Sequence, residues 1–215
     1  MRRTFSTLTI FTLATLLLAP VAEAQGSLDG GRLGGASSQI IPAGSSTSGG
    51  ELQEIDGPFD LDRYAGTWYQ VAAIPQPYSL QCTRDTTADY DVIDESTLSV
   101  RNSCGTFVGP PSTIDGIAKA RSKASLRVDF AGVPFQDPEG PVNYRVTYLD
   151  DDYSLAVVGD PARMSGFVLS RTRSLTPERW SEVREIVGER GYGSCKFLTV
   201  PMQGGRSDVV PLCAL

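Results

Sequence analysis

Apolar and polar residues alternate along several short stretches after the first quarter of the chain, a pattern typical of β-strands with one buried face. In the stretch 83–92, Ala88 and Tyr90 share one face, whereas Asp89 and Asp91 share the other. Clusters of Asp, Gly and Pro separate successive stretches. The pattern predicts strands over residues 67–74, 83–92, 97–102, 113–121, 124–131, 142–149, 154–158 and 166–171.

A helical period replaces the alternation near the C-terminus. Thr176 is a suitable N-cap and Pro177 a suitable first residue of a helix over residues 177–190. Its apolar residues form one stripe, which predicts packing against the outside of a sheet: Trp180, Val183, Ile186 and Val187. Gly191 and Gly193 end the helix, and a last β-like run covers 196–200.

The short links between the predicted strands indicate an all-β fold. Strands joined by short links form an up-and-down antiparallel meander, and eight of them close into a barrel without free edges. The pattern therefore predicts an eight-stranded antiparallel up-and-down barrel with one C-terminal α-helix packed outside.

The first 57 residues have a different composition. Arg2 and Arg3 precede an apolar stretch, and Ala22-Glu23-Ala24 resembles a signal-peptidase site. The apolar stretch 8–19 is shorter than the roughly 20 residues of a membrane span. We therefore expect a signal peptide over residues 1–24 and an exported product without a transmembrane segment.

Residues 25–57 contain nine glycines and six serines and show no apolar period. Such a segment buries too little surface to fold, so we predict a disordered tail over residues 25–57 and a folded domain over residues 58–215.

The overall composition excludes several classes of function. The 215 residues include no histidine, which removes Ser-His-Asp catalysis and imidazole metal sites. The net charge of −6 provides no basic footprint for nucleic acid. The chain contains no G-x-S-x-G or phosphate-binding glycine motif, so we expect no enzyme activity, no cofactor and no metal.

Four cysteines, an even number in an exported domain, predict two disulfides with three possible pairings. The predicted hairpin of the second and third strands brings Cys82 close to Cys104. We therefore favour Cys82–Cys104 together with Cys195–Cys213, which leaves no thiol free for catalysis.

Three blocks of sequence resemble a known family. The stretch 59–69, FDLDRYAGTWY, resembles the first lipocalin signature, in which G-x-W opens the first strand. The stretch 143–159 resembles the second block, and Leu169-Ser170-Arg171 resembles the third. The chain is similar to bacterial lipocalins, which are related to apolipoprotein D. That resemblance implies a carrier of fatty acids, lysophospholipids or other small apolar molecules, and it also implies the alternative pairing Cys82–Cys213 with Cys104–Cys195.

The resemblance implies structural roles for Gly66, Trp68 and Arg171. Trp68 is expected to plug the closed end of the barrel. Arg171 is expected to lie across the indole and to donate hydrogen bonds to backbone carbonyls near residues 60–64.

If Trp68 points inward, strand parity assigns other residues to the barrel interior. Tyr78 is expected to cover the mouth from the loop 75–78. The candidate ligand-binding residues are Gln70, Ala72, Ile74, Tyr78, Ala88, Tyr90, Leu126, Val128, Phe130, Tyr144, Val146, Tyr148, Phe167 and Leu169.

These observations favour a secreted transport protein for a small hydrophobic ligand. Two alternatives stay open: a protein associated with the cell envelope that docks through its loops and tail, and an enzyme on the same barrel.

Overall fold

The computed structural model describes residues 50–215, so the predicted signal peptide and residues 25–49 of the predicted tail lie outside the described residues. Two α-helices and nine strands form the fold. In chain order they are α1 (Leu61–Tyr64), β1 (Gly66–Ala73), β2 (Arg84–Asp94), β3 (Thr97–Gly105), β4 (Ser112–Ala120), β5 (Ser125–Phe130), β6 (Tyr144–Leu149), β7 (Leu155–Gly159), β8 (Gly166–Ser170), α2 (Pro177–Glu189) and β9 (Leu198–Thr199).

The first eight strands form a closed barrel. Each of β2 to β8 pairs antiparallel with its neighbour in sequence, and β1 closes the barrel by pairing with both β2 and β8. This confirms the predicted eight-stranded up-and-down topology. The C-terminal run 196–200 contributes the two-residue strand β9, which pairs with the last residues of β1.

The up-and-down order gives the barrel two different ends. Helix α1 and the β2–β3, β4–β5 and β6–β7 turns lie at one end, which we call the floor. The β1–β2, β3–β4, β5–β6 and β7–β8 connections lie at the other end, which we call the mouth.

Helix α2 packs on the outer wall of the barrel, as its apolar stripe predicts. The stripe is buried in one cluster with outward-facing strand residues such as Val71, Val157 and Val168. Among residues 50–215, no helix is long and apolar enough to cross a membrane.

Helix α1, which the sequence pattern does not predict, closes the floor. The Asp60 side chain caps it by accepting hydrogen bonds from the backbone N–H groups of Asp62 and Arg63. Tyr64 is fully buried, and Trp68 Nε1 donates to the Tyr64 carbonyl oxygen at 2.8 Å. The single turn of α1 therefore positions both aromatic rings of the floor, because it carries Tyr64 and accepts the hydrogen bond from Trp68.

Arg171 locks this closure. Its guanidinium lies 3.9 Å from the centroid of the Trp68 ring. The same guanidinium donates hydrogen bonds to the carbonyl oxygens of Arg63, Ala65 and Thr67 at 2.7–2.9 Å. Arg171 thus lies across the indole, as the resemblance implies, and its carbonyl partners lie in residues 63–67.

Gly66 is required beside this guanidinium for two reasons. Its φ of 89° lies in the left-handed region, and a Cβ at this position would lie 3.3 Å from Arg171 Nη1. A side chain at this position would therefore strain the backbone and crowd the guanidinium.

The disulfides follow the favoured pairing. Cys82 bonds to Cys104, and Cys195 bonds to Cys213. The alternative pairing that the resemblance implies is wrong. The first disulfide joins the β1–β2 connection to the end of β3, and the second holds the C-terminal segment beside β9.

The end of the predicted tail is packed on the barrel, so the predicted boundary at residue 58 is wrong. Leu52 is fully buried, and its N–H donates to the Pro161 carbonyl oxygen at 2.8 Å. Glu54 accepts hydrogen bonds from the Ser122 and Ser125 hydroxyls. The high Gly and Ser content of residues 25–57 as a whole hides these few anchoring residues near the end.

The arginine clamp predicts a specific loss of stability. Arg171→Ala removes the cation–π contact and the hydrogen bonds to the carbonyl oxygens of Arg63, Ala65 and Thr67, so we expect the free energy of unfolding to fall by about 2–4 kcal/mol. Arg101→Ala is the control, because Arg101 forms an exposed ion pair with Asp115 on the outer wall and its loss should leave the free energy of unfolding nearly unchanged. Equal losses in the two variants, measured by denaturant unfolding, would contradict the clamp.

Candidate functional site: the barrel interior

The interior is divided into a sealed floor and a more accessible upper half. Trp68, Tyr64, Leu98 and Val146 near the floor have no exposed surface. Interior-facing residues nearer the mouth keep part of their surface exposed: Gln70, Ala73, Asn102, Ile114, Phe130 and Phe167. The part of the interior that solvent reaches therefore lies toward the mouth and not around Trp68.

Aromatic rings fill the floor. The Tyr64 ring lies 5.1 Å from the Trp68 ring and 5.5 Å from the Tyr90 ring, between centroids. The hydroxyls of Tyr64 and Tyr144 are 2.5 Å apart, and the Tyr90 hydroxyl donates to Tyr144 at 3.2 Å. Three phenol groups thus satisfy one another inside an apolar cluster.

Burial keeps these phenols neutral. It raises the pKa of Tyr90 to about 12, because the phenolate would lose its hydration. Burial and the neighbouring phenols raise the pKa of Tyr64 and Tyr144 well above the ordinary range. The floor therefore presents no charge to the interior at physiological pH.

The upper half also lacks charged side chains. Among the described residues, none of its inward-facing strand positions holds Asp, Glu, Lys or Arg. Charged strand residues such as Arg101, Asp115 and Asp129 face outward instead. The polar groups of the upper half include the amides of Gln70 and Asn102, and Asn102 Oδ1 has no hydrogen-bond partner. The interior is therefore suited to apolar molecules with few polar groups.

Strand parity places most of the candidate ligand-binding residues in the interior. The structure places these ten inside: Gln70, Ala88, Tyr90, Leu126, Val128, Phe130, Tyr144, Val146, Phe167 and Leu169. Whether each contacts a ligand stays a prediction.

Three candidate residues face the wrong way for ligand contact. Ala72, Ile74 and Tyr148 belong to the cluster between the barrel wall and helix α2. The register shifts between Gln70 and Ala72, and again between Val146 and Tyr148, so parity inverts beyond each irregularity. Ala73 and Leu149 face inward in their place, opposite Phe167 and Ala156.

Tyr78 lies in a short 3-10 turn, Pro77–Ser79, in the β1–β2 connection. Its side chain is exposed, so it borders the mouth without closing it.

Several further residues lie in the interior but are not among the candidate ligand-binding residues. They lie on β3, β4 and β7, and the alternation in those stretches was sufficient to identify them: Leu98, Val100, Ala118, Ala156 and Val158.

All four cysteines are paired, and no group of three potential metal ligands occurs in residues 50–215. Outside the barrel, a shallow pocket of about 290 Å³ borders the start of α2 and contains Arg179. That arginine is already paired with Asp150 and Glu182. The barrel interior is therefore the better candidate for a binding site.

The raised pKa values predict a loss of stability at alkaline pH. An unfolded Tyr90 ionises near pH 10, whereas the folded protein keeps it protonated to about 12, so the folded state retains more protons above pH 10. We expect the free energy of unfolding to fall between pH 10 and 12, by up to about 3 kcal/mol for Tyr90 alone. Below pH 10, this contribution should be constant.

Denaturant unfolding across this pH range, with tyrosinate absorbance as a second readout, measures the effect. Tyr90→Phe should make the decline less steep without abolishing it, because Tyr64 and Tyr144 remain buried in the floor. An equally steep decline in Tyr90→Phe would show that Tyr90 does not contribute to it.

Comparison with known proteins agrees with this geometry. Residues 59–202 match the family description "Lipocalin-like domain". Temperature-induced lipocalin-1 of Arabidopsis thaliana is 34% identical over 167 residues, which cover 75% of this chain and 86% of the plant protein. The outer membrane lipoprotein Blc of Escherichia coli strain K12 is 31% identical over 150 residues, which cover 68% of this chain and 81% of that protein.

Solved structures agree at the level of the fold. The cockroach allergen Per a 4 superposes with a TM-score of 0.54 at 15% identity and covers 71% of this chain and 96% of its own. Lobster apocrustacyanin A1 superposes with a TM-score of 0.50 at 14% identity, over 71% of this chain and 91% of its own. Together with the closed barrel and its arginine-capped tryptophan, the match over residues 59–202 and the sequence relatives establish that this chain belongs to the lipocalin family.

Proposed function

We propose that this protein carries a small hydrophobic ligand, such as a fatty acid or a lysophospholipid, in the upper half of its barrel. The observation that supports this most is the contrast inside the barrel, where a sealed aromatic floor lies below half-buried apolar side chains that include Phe130 and Phe167. Lipocalins are generally binding or transport proteins, which favours carriage over catalysis.

The distribution of polar groups favours one orientation of the ligand. An apolar tail gains about 0.8 kcal/mol for each buried CH₂ group, and the interior offers it uncharged walls. A charged head group would find no counter-ion in the upper half, so it stays at the mouth in contact with water. The amides of Gln70 and Asn102 are available to hydrogen-bond an ester or hydroxyl group that lies between the apolar tail and the head group of the ligand.

We further propose that the protein is exported and acts at or beyond the cell envelope. The two disulfides fit an oxidising compartment, and residues 1–24 have the pattern of a signal peptide. The printed name of the Blc relative describes an outer membrane lipoprotein, which supports association with the envelope.

A pair of substitutions tests the site. Phe130→Ala removes an inward-facing ring at the top of β5, and we expect the Kd for a fluorescent fatty acid to rise about tenfold. Ile117→Ala truncates an exposed residue on the outer face of β4 and should leave the Kd unchanged. Thermal unfolding of both variants controls for loss of structure.

Equal affinities of the wild type and Phe130→Ala for the probe would contradict the proposal that the ligand binds in the barrel interior. Native mass spectrometry of the purified protein provides an independent check, because a carrier of this kind should co-purify with lipid. An empty protein that also fails to bind the probe would contradict carriage.

Arg171→Ala separates closure of the barrel from binding. Because Arg171 lies below the floor and outside the proposed cavity, the folded fraction of this variant should bind the probe with an affinity close to that of the wild type. A large loss of affinity at unchanged stability would show that Arg171 contributes to ligand binding.

A further inference from the structure

Exposed apolar side chains are concentrated at one end of the barrel. Seven large ones project from the four connections at the mouth, and we call them the mouth rim: Tyr78, Leu80, Phe107, Val108, Val133, Phe135 and Met164. Phe107 is 88% exposed and Phe135 is fully exposed. At the floor, only Val92 and Ile93 among the described residues are comparable. A water-facing end gains nothing from this arrangement, so the rim indicates a contact surface.

The rim is also short of charge. The β1–β2 connection, residues 74–83, and the β3–β4 connection, residues 106–111, contain no Asp, Glu, Lys or Arg, although 20% of the chain is charged.

The other two connections contain the charged residues Asp137, Glu139, Asp160 and Arg163, and each of them bonds to another group of the protein. In the β7–β8 connection, Asp160 accepts hydrogen bonds from Ala162 and Ser165, and Arg163 donates to the carbonyl oxygen of Arg190. In the β5–β6 connection, Glu139 pairs with side chains of β4 and the turn after it.

The structure holds these apolar side chains outward. The Cys82–Cys104 disulfide ties the first connection to the end of β3. The Thr106 hydroxyl donates to the carbonyl oxygens of Val108 and Pro110 within its own loop. Gln136, next to Phe135, bonds to both the N–H and the carbonyl group of Phe130. The rim is therefore braced in its exposed form, which favours a role that uses the exposed side chains.

Shape and charge together indicate what covers the rim. Its side chains project separately from four loops around an opening, so a protein partner would need a matching socket for each one. The acyl region of a lipid layer accommodates each of them independently. The net charge of −6 and the uncharged loops 74–83 and 106–111 provide no attraction for anionic head groups, so the matching surface is electrically neutral overall.

We propose that the mouth rim inserts into the surface of a zwitterionic lipid layer, with the barrel opening facing the lipid. The docking proposal depends only on the exposed side chains of the mouth rim. If the protein also carries a ligand, docking lets that ligand pass between the lipid layer and the barrel without exposure to bulk water; this consequence rests on the proposed function.

Vesicle flotation tests the proposal. The purified protein is mixed with phosphatidylcholine vesicles, and the bound fraction is measured for the wild type, the double variant F107S/F135S and the control I93S. Ile93 is 56% exposed at the floor, so I93S removes an exposed apolar side chain from the opposite end. We expect F107S/F135S to partition at least about tenfold more weakly than the wild type, I93S to match the wild type, and anionic phosphatidylglycerol not to increase binding.

Each other outcome overturns the proposal. Absence of wild-type flotation, equal losses in F107S/F135S and I93S, or binding only to anionic vesicles would each contradict insertion of the rim. A dimer that F107S/F135S dissociates, without vesicle binding by the wild type, would assign the rim to a second copy of the chain.

A fluorescent fatty acid assay without vesicles separates the two proposals. Because the rim lies outside the interior, F107S/F135S should bind the probe like the wild type. Flotation that depends on the rim, without binding of the probe, would contradict the carrier function and support the docking surface. Binding of the probe without flotation would contradict the docking surface alone.

Discussion

The fold depends on the clamp that Arg171 forms beneath Trp68. One guanidinium stacks on the indole and donates hydrogen bonds to the carbonyl oxygens of Arg63, Ala65 and Thr67. Those carbonyls belong to the end of α1 and the start of β1, where the chain turns into the barrel and its backbone acceptors lack strand partners. A planar cation with five donors satisfies them and covers an aromatic face at the same time, which neither a lysine nor an apolar residue does.

Because the floor is sealed in this way, the two ends of the barrel have opposite properties. At the floor, buried aromatic rings and neutral phenols lie against the arginine clamp. At the mouth, inward-facing residues keep exposed surface, and the surrounding loops present apolar side chains to solvent. Charged strand residues such as Arg101 and Asp129 face outward. The charged strand surface, the closed end and the proposed binding site therefore occupy different parts of one sheet.

Most of the fold was predictable from local alternation, because each β-strand has one dry and one wet face. The predicted strands agree with the observed ones to within a few residues, and the favoured disulfides followed from the hairpin of β2 and β3. The errors occur where one residue breaks the period. Ala72 and Tyr148 follow register shifts, and a shift of one residue sends every later side chain to the opposite face. Helix α1 is too short to show a helical period, and the packed residues Leu52 and Ile55 lie at the end of a segment whose average composition is that of a flexible tail.

Side chains compensate for the weakest strand pairing of the barrel, and the packed residues 52–54 take part in this. Strands β5 and β6 share only two paired positions, so much of the β5 backbone lacks a strand partner on that side. The side chain of Asn143 takes the place of a missing strand partner, because its amide accepts a hydrogen bond from the Val128 N–H and donates one to the Val128 carbonyl, both at 2.8 Å. Gln136 does the same at Phe130. Below them, Arg145 joins β6 to Ser125 and to the Leu52 carbonyl. Side chains thus complete a seam that the backbone leaves open, and the residues just before the barrel are part of that seam because Leu52 and Glu54 supply acceptors to it.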